Sequence, residues 1–221
     1  QEEYKPVSVN AKLAALNGFF SFTGNPQLRV KQLKIQKKPF CSREKELSKA
    51  EYIRLVTVAE KEGDERLALI LQTICSTGIR VSELQFITAE TVASGEAAIC
   101  LKGKNRTILI AGKLRKALKC YLRRRGITAG PVFIMRSGRP LDRSHIWKMM
   151  KALCQRAGVR EEKVFPHNLR HLFARCFYSI DKDIAQLADV LGHFSINTTR
   201  IYIASSGYEH RKRTDALNLV I

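Results

Sequence analysis

The chain has 221 residues, 45% of them hydrophobic and 27% charged, which suffices for one sizeable core or two modest ones. Lys and Arg number 39 against 20 acidic residues, and the resulting net charge of +19 indicates a polyanionic partner, nucleic acid foremost. No apolar run approaches the roughly 18 residues of a membrane-spanning helix and no signal peptide is evident, which disfavours a membrane protein. The six cysteines form no C-x-x-C pair and lie mostly in apolar contexts, so we expect reduced core thiols and a cytoplasmic location.

Residues 7–22, "VSVNAKLAALNGFFSF", place apolar side chains at helical spacing after Pro6. One amphipathic helix cannot form a domain, so we expect the last helix of a larger unit whose beginning precedes this sequence. A basic, acid-free segment follows, and it predicts a linker. The segment is either a solvent-exposed charged linker between domains or a segment that follows the phosphates of the DNA backbone. Its cations are Arg29, Lys31, Lys34, Lys37, Lys38 and Arg43.

Helices are predicted again from residue 47 onward. Ser48 can cap one that Gly63 interrupts, and an apolar helix from Glu65 ends at Gly78. "KLRKALKCYLRRR" has helical periodicity with one cationic face, and Ser144 can cap a helix through "HIWKMMKALCQRAG". Three short helices complete the pattern, in "VFPHNLRHLFARCFYS", "KDIAQLADVLG" and "SINTTRIYIAS".

Two stretches are typical of strands. "EAAICLKGKNRTILIAG" has two apolar runs around the turn-like "KGKN" and predicts a hairpin with a basic tip, and "PVFIM" predicts a short strand. The expected fold class is therefore mainly α with a small antiparallel β-sheet (α+β).

The stretch "PHNLRHLFARCF" sets two histidines and two arginines among apolar residues. His167 and Arg170 share a face near the start of this helix, where the amide groups and the helix dipole favour an anion such as phosphate. His171 and Arg175 are interpreted as structural. A zinc site from His167 and His171 is disfavoured, because the acid of H-E-x-x-H and a third ligand are missing.

Two further segments carry candidate residues. In "STGIRVSEL", Arg80 follows Gly78 and Glu83 can hold its guanidinium, although such a pair alone is an ordinary salt bridge. In "LGHFSINTTRIYI", His193 lies on a turn and Tyr202 on a helix, where alone it would be a core aromatic.

Together these residues resemble the catalytic domain of the tyrosine recombinases, the family of Xer-type, phage and conjugative-transposon integrases. The resemblance spans Leu47 to Tyr202 and implies the fold of DNA breaking-rejoining enzymes. It implies three regions: the end of a helical, SAM-like core-binding domain in residues 1–28, a basic linker in 29–46, and the catalytic domain in 47–221, with a C-terminal tail in 203–221.

The chemistry of a phosphodiester gives each residue a role. Arg80 and Arg170 can offer N–H donors to the non-bridging oxygens, and Glu83 supports the first of them. Tyr202 is the expected nucleophile, and His167 the base that takes its proton. His193 is expected to donate to a phosphate oxygen or to orient Tyr202. Tyr208 is a rival nucleophile, disfavoured by its spacing from His193.

The resemblance also implies a lysine general acid on the hairpin. Lys102 is favoured by alignment on "KG", and Lys104 is the alternative. The expected DNA-contacting residues are Lys31, Lys34, Lys37, Lys38, Arg43, Lys104 and Arg106.

We therefore expect a site-specific recombinase that forms a 3′-phosphotyrosyl bond and a Holliday junction, without ATP, metal or other cofactor. Its expected partners are double-stranded DNA carrying recombination sites, further copies in a DNA-bound tetramer, and accessory DNA-bending or directionality proteins, in a bacterial nucleoid. Integration or excision of a mobile element is the favoured task. A type IB topoisomerase and a non-catalytic DNA-binding module are the alternatives.

Overall fold

A computed structural model describes residues 4–35, 43–101, 104–135, 137–203 and 216–217. The chain divides into two compact units, Gln1–Phe40 and Cys41–Ile221. The division falls inside the segment expected to be a linker. Within the described residues, no helix is long and apolar enough to cross a membrane.

In the first unit, helix α1 (Pro6–Phe22) begins one residue before the predicted range of 7–22, because Pro6 itself occupies the first helical position. The chain then returns along this helix, held by two asparagines. Asn17 exchanges hydrogen bonds of 2.9 Å with the backbone of Val30, and Asn10 does the same with Leu33 at 2.8 and 2.9 Å. The seven helical steps from Asn10 to Asn17 and the three extended steps from Val30 to Leu33 each span about 10 Å. Both asparagines can therefore bond to the returning chain at the same time. Part of the expected linker is thus tied to the helix.

The second unit is mainly helical and carries one two-stranded antiparallel sheet, which confirms the predicted fold class. Strands β1 (Glu96–Leu101) and β2 (Lys104–Leu109) form the predicted hairpin. The helices are α2 (Lys49–Lys61), α3 (Glu65–Thr77), α4 (Ala89–Ser94), α5 (Gly112–Arg125), α6 (Arg143–Cys154), α7 (Pro166–Asp181), α8 (Ile184–Leu191) and α9 (Ile196–Ile203).

Local signals place the first two of these helices as predicted. Ser48 accepts a hydrogen bond from the Glu51 amide, and the Glu51 carboxylate accepts one from the Ser48 amide, a complete capping box. Helix α3 ends at Gly78, whose φ of +64° is left-handed. A Cβ there would lie 2.4 Å from the Phe173 ring. A side chain at this position would therefore be both strained and sterically blocked.

Two local predictions are wrong. "PVFIM" forms no strand, only the isolated bridges Thr88↔Pro131 and Ile134↔Pro140, because a proline cannot donate to a ladder. Helix α6 is capped by Asp142, whose carboxylate accepts from the His145 amide at 2.7 Å. The carboxylate stands three residues before that amide, the N-cap to N3 spacing, so Ser144 lies inside the helix.

The core is continuous through the second unit, with a smaller cluster of Ala174, Leu187, Leu191 and Tyr202 between α7, α8 and α9. The five described cysteines are free, but only Cys154 among them is buried. Cys100 is exposed because strand residues alternate, and its neighbours Ala97 and Ile99 take the inner face. The expectation of core cysteines is thus wrong for Cys100 and Cys176, which are exposed, whereas Cys75 is half-buried and packs against the core.

Candidate active site

Arg80 and Glu83 meet at the start of the 3₁₀ segment Val81–Phe86. Glu83 is almost fully buried. Its Oε1 accepts from Arg80 Nη1 at 2.8 Å, and its Oε2 accepts from the Arg80 amide at 2.7 Å. The Arg80 side chain remains 44% exposed. One buried carboxylate therefore orients a guanidinium whose outer face is accessible.

Arg170, on α7, is only 1% exposed. Its Nη1 donates to the carbonyl of Gly78, and its Nη2 donates to the carbonyl of Leu191 at 2.6 Å. Burial, reinforced by the charge of Arg80, lowers the pKa of Arg170 to about 10. The guanidinium is therefore still protonated at neutral pH, but it is poorly solvated and would gain from an anion.

His167 and Tyr202 face each other across the site, with Nδ1 and the phenol oxygen 3.5 Å apart. This exceeds an ordinary hydrogen bond, yet catalytic contacts often tighten only when substrate binds. Burial first, and then the charges of Arg170, Arg80 and Arg143, lower the pKa of His167 below its usual 6.5. The imidazole is thus neutral at neutral pH and able to accept a proton.

The phenol ring of Tyr202 is enclosed by three imidazoles and a guanidinium. His171 stacks on it at 4.0 Å between centroids and an interplanar angle of 14°, His167 meets it edge-on at 5.2 Å, and His193 lies 4.9 Å away. The guanidinium carbon of Arg170 lies 5.8 Å from its centroid. The position of the phenol oxygen is therefore well determined.

His171 was interpreted from the sequence as a structural residue, and its stacking on Tyr202 was missed. Burial, with contributions from His167, Arg175 and Arg170, lowers the pKa of His171 to about 4. It is therefore a neutral surface for the phenol. Its i, i+4 spacing from His167 was the available signal. Arg175 does have structural partners, Glu46 and the Leu47 carbonyl.

His193 follows Gly192 and connects two parts of the site. Its Nε2 lies 3.0 Å from Arg170 Nη2, and its Nδ1 lies 2.9 Å from Thr199 Oγ1. A guanidinium can only donate, so Nε2 is the acceptor, and in the neutral ring Nδ1 carries the proton toward Thr199. This geometry suits orientation of Arg170 and Tyr202 better than donation to a phosphate. Sequence reasoning had missed Thr199.

Arg106 lies elsewhere than the sequence led us to expect. It was assigned to the DNA surface, but its side chain is 8% exposed and pairs with Glu83 Oε2. The cause is the hairpin register: Arg106 is opposite Ile99, which is buried, and cross-strand partners share one face of a sheet. Arg106 therefore points inward.

The other predicted cations are less fully described. Lys31 and Lys34 are exposed in the first unit. Lys104 begins strand β2, with only its backbone described, and the same holds for Arg43 in the segment Arg43–Lys45. Lys37, Lys38, Lys102 and Tyr208 lie outside the described residues, as does the tail from 204 onward except residues 216–217.

A cleft of about 710 Å³ opens beside Arg80, His167 and Arg170. Its opposite wall is helix α6, which contributes Arg143, Ser144, Trp147 and Lys148. No role for this helix was predicted, although Arg143 and the half-exposed Trp147 are four residues apart, the spacing of neighbours on one helix face. Across the described chain, no three His, Cys, Asp or Glu side chains are grouped as metal ligands.

Comparison with known proteins identifies the family of this chain. The model of the phage integrase family matches residues 45–208. The chain belongs to this family, the tyrosine recombinases. XerA from Pyrococcus furiosus is 31% identical over 226 residues, which cover 98% of this chain and 76% of that protein.

Two crystal structures resemble this tyrosine recombinase closely. XerA superposes with a TM-score of 0.68 at 25% identity, covering 99% of this chain and 78% of that one. XerH bound to its difH substrate, in a pre-cleavage complex, gives 0.69 at 25% identity over 94% and 64% of the two chains. The protein is therefore a site-specific tyrosine recombinase that acts on DNA, as its sequence predicts.

Proposed function

We propose that Tyr202 attacks the scissile phosphate and that His167 Nδ1 takes the phenol proton. The observation that carries this assignment is the position of the phenol oxygen, 3.5 Å from a neutral imidazole, with the two arginines in the same site. A bond forms between the tyrosine oxygen and phosphorus while the bond from phosphorus to the 5′ oxygen breaks. The product is a 3′-phosphotyrosine.

Arg80 and Arg170 are assigned to the non-bridging phosphate oxygens. Among the described residues, the only buried side-chain nitrogens without a hydrogen-bond partner are Nε of Arg170 and Nε of Arg106. Buried donors are normally satisfied, so the unpaired Nε of Arg170, which lines the cleft, supports an anion as its partner. Arg80 and Arg106 share the single carboxylate of Glu83, and Arg170 adds a third positive charge, so the net positive charge suits a phosphate whose negative charge grows in the transition state.

The leaving 5′ oxygen needs a proton, which we assign to Lys102, with Lys104 as the alternative. The phosphotyrosyl bond conserves the energy of the phosphodiester, so a second strand can attack it and reseal the DNA without ATP. Exchange of one strand pair then gives a Holliday junction.

We further propose that the protein works as a DNA-bound tetramer in the cytoplasm, with accessory DNA-bending or directionality proteins and with the tail after Tyr202 docking between copies. The basic cations of residues 29–46 would follow the DNA backbone. If deletion of residues 216–221 left light scattering of the DNA complexes unchanged, the tail would have no part in assembly.

The biological task we propose is integration or excision of a mobile element, and the match to the phage integrase family supports it. The Xer names of the relatives favour resolution between paired chromosomal sites as the second candidate. The test recombines plasmids carrying the target site in direct repeat, alone and together with the ends of a candidate element. Exchange that needs an element end supports the first task, and exchange between identical sites alone supports the second.

The reaction itself is tested with a trapped intermediate. The DNA site is first selected from randomised duplexes with the full chain, and a nicked version is built so that the cleaved fragment diffuses away. We expect a protease-sensitive DNA adduct with the wild type and none with Tyr202→Phe. Relaxation of any plasmid irrespective of sequence would instead favour a topoisomerase, and tight binding without an adduct a non-catalytic binder.

A further inference from the structure

Arg106 connects the hairpin to the two other elements that build the site. Its Nη2 pairs with Glu83 Oε2, and its Nη1 donates at 3.0 Å to the carbonyl of Val190 near the end of α8. The side chain crosses Gly192 so closely that a Cβ there would lie 2.6 Å from its Cδ. One side chain of β2 thus joins the 3₁₀ segment Val81–Phe86 and helix α8.

Glu83 is consequently shared between two arginines that belong to different elements. Its Oε1 accepts a hydrogen bond from the Arg80 guanidinium, while its Oε2 accepts one from the Arg80 amide and one from Arg106 Nη2. Arg80 lies beside the cleft, whereas Arg106 is on the strand that begins at Lys104. The carboxylate therefore sets the distance between the phosphate-facing arginine and the hairpin.

The hairpin needs such an attachment. Its sheet has two strands only within the described residues, and a two-stranded hairpin is marginally stable by itself. Arg106 is four residues after Lys102 and two after Lys104, the two candidates for the general acid. A buried ion pair at this distance along the strand restricts how β2 can move relative to Glu83.

We propose that Arg106 is a positioning residue that holds the lysine-bearing hairpin against the Glu83–Arg80 pair. The general-acid lysine is thereby placed to protonate the leaving 5′ oxygen of the same phosphate that Arg80 binds. The proposal rests on the proposed function, because it presupposes cleavage by Tyr202 with a lysine as the acid. It assigns Arg106 no contact with the DNA.

The test separates leaving-group protonation from all other steps. The selected nicked duplex is made in two forms, one with the ordinary 5′ oxygen and one with sulfur in that bridging position. A thiolate leaves without a proton, since thiols ionise near pH 8.5. Adduct formation is followed for wild type, Arg106→Gln and Arg80→Gln. Lys116→Gln, an exposed charge on α5, is the control for loss of charge.

We expect Arg106→Gln to slow cleavage of the oxygen duplex by about 10- to 100-fold, part of the roughly 10²- to 10⁴-fold that a positioned acid supplies. With the sulfur duplex it should come within about threefold of wild type. Arg80→Gln should be equally slow on both duplexes, because it acts on the non-bridging oxygens. Lys116→Gln should match wild type on both.

An Arg106→Gln defect of the same size on both duplexes would overturn the proposal, as would an unchanged rate on the oxygen duplex. If this variant does not fold by circular dichroism, Arg106→Lys replaces it, with a smaller defect that must again be specific to oxygen. Failure of the proposed function looks different, since wild type would then give no adduct with either duplex.

Discussion

Arg80 and Arg170 are the same residue type assigned to the same phosphate, yet their surroundings are opposite. Arg80 lies at the edge of the cleft, 44% exposed and oriented by one carboxylate. Arg170 is 1% exposed and held by the carbonyls of Gly78 and Leu191. The interior arginine is thus part of the fold as well as of the site, whereas the edge arginine belongs to the fold only through its pair with Glu83. Substitutions should separate these two kinds of contribution.

Arg170→Ala should have the largest effect, on both stability and activity. It leaves two buried carbonyls without a donor and opens a cavity, which we expect to cost about 2–4 kcal/mol of unfolding free energy. Cleavage should fall by about 10²-fold or more, as for loss of an oxyanion donor. Urea unfolding and the adduct assay measure the two effects. If cleavage were lost while the unfolding free energy stayed unchanged, Arg170 would not contribute to the stability of the fold.

Arg80→Ala should affect activity far more than stability. Cleavage should again fall by about 10²-fold, because one phosphate ligand is lost. Unfolding free energy should change by about 1–2 kcal/mol, less than for Arg170→Ala, because Glu83 loses the bond at Oε1 but keeps the backbone amide and Arg106 at Oε2. If Arg80→Ala lowers stability as much as Arg170→Ala does, the distinction between edge and interior fails.

The pH dependence of cleavage tests the lowered pKa of His167. A base is active when neutral, so the rate should hold at neutral pH and fall about tenfold per unit once the pH drops through the pKa of His167, which lies below 6.5. Arg143→Gln removes one of the charges that lower this pKa and should move the inflection upward. An inflection above 6.5, or one that persists in His167→Gln, would assign the base elsewhere.

Thr199→Val should have the smallest effect. It removes the hydrogen bond at His193 Nδ1 and keeps the volume of a buried side chain. The expected loss is about 1 kcal/mol of transition-state stabilisation, roughly fivefold in rate, with little change in unfolding free energy. Thr199→Ser, which keeps the hydroxyl, should retain the wild-type rate. Equal rates for Val and Ser would show that this contact does not orient His193.

The sequence was informative where function depends on residue order and on local spacing. Arg80 and Glu83 are three residues apart and meet through a 3₁₀ turn, and local signals place Ser48 at the start of α2 and Gly78 at the end of α3. Motif order was also enough to single out His167, Arg170, His193 and Tyr202, which the fold brings together.

Contacts between distant elements could not be derived in this way. The inward direction of Arg106 depends on the register of the hairpin, and the stacking of His171 on Tyr202 depends on how α9 packs against α7. Gly192 leaves room for the Arg106 side chain because it has no Cβ, but the need for that room arises only where the end of α8 packs against β2. Such features follow from tertiary packing, and the exposed wall formed by α6 belongs with them.

The most direct test of the account is to locate the covalent bond. The DNA adduct of the wild type is digested with nuclease and trypsin, and the peptide after Arg200, which contains both Tyr202 and Tyr208, is fragmented in a mass spectrometer. The account predicts a nucleotide phosphate on Tyr202. A phosphate on Tyr208 or on any other residue would contradict it, because no other side chain is assigned to attack the DNA.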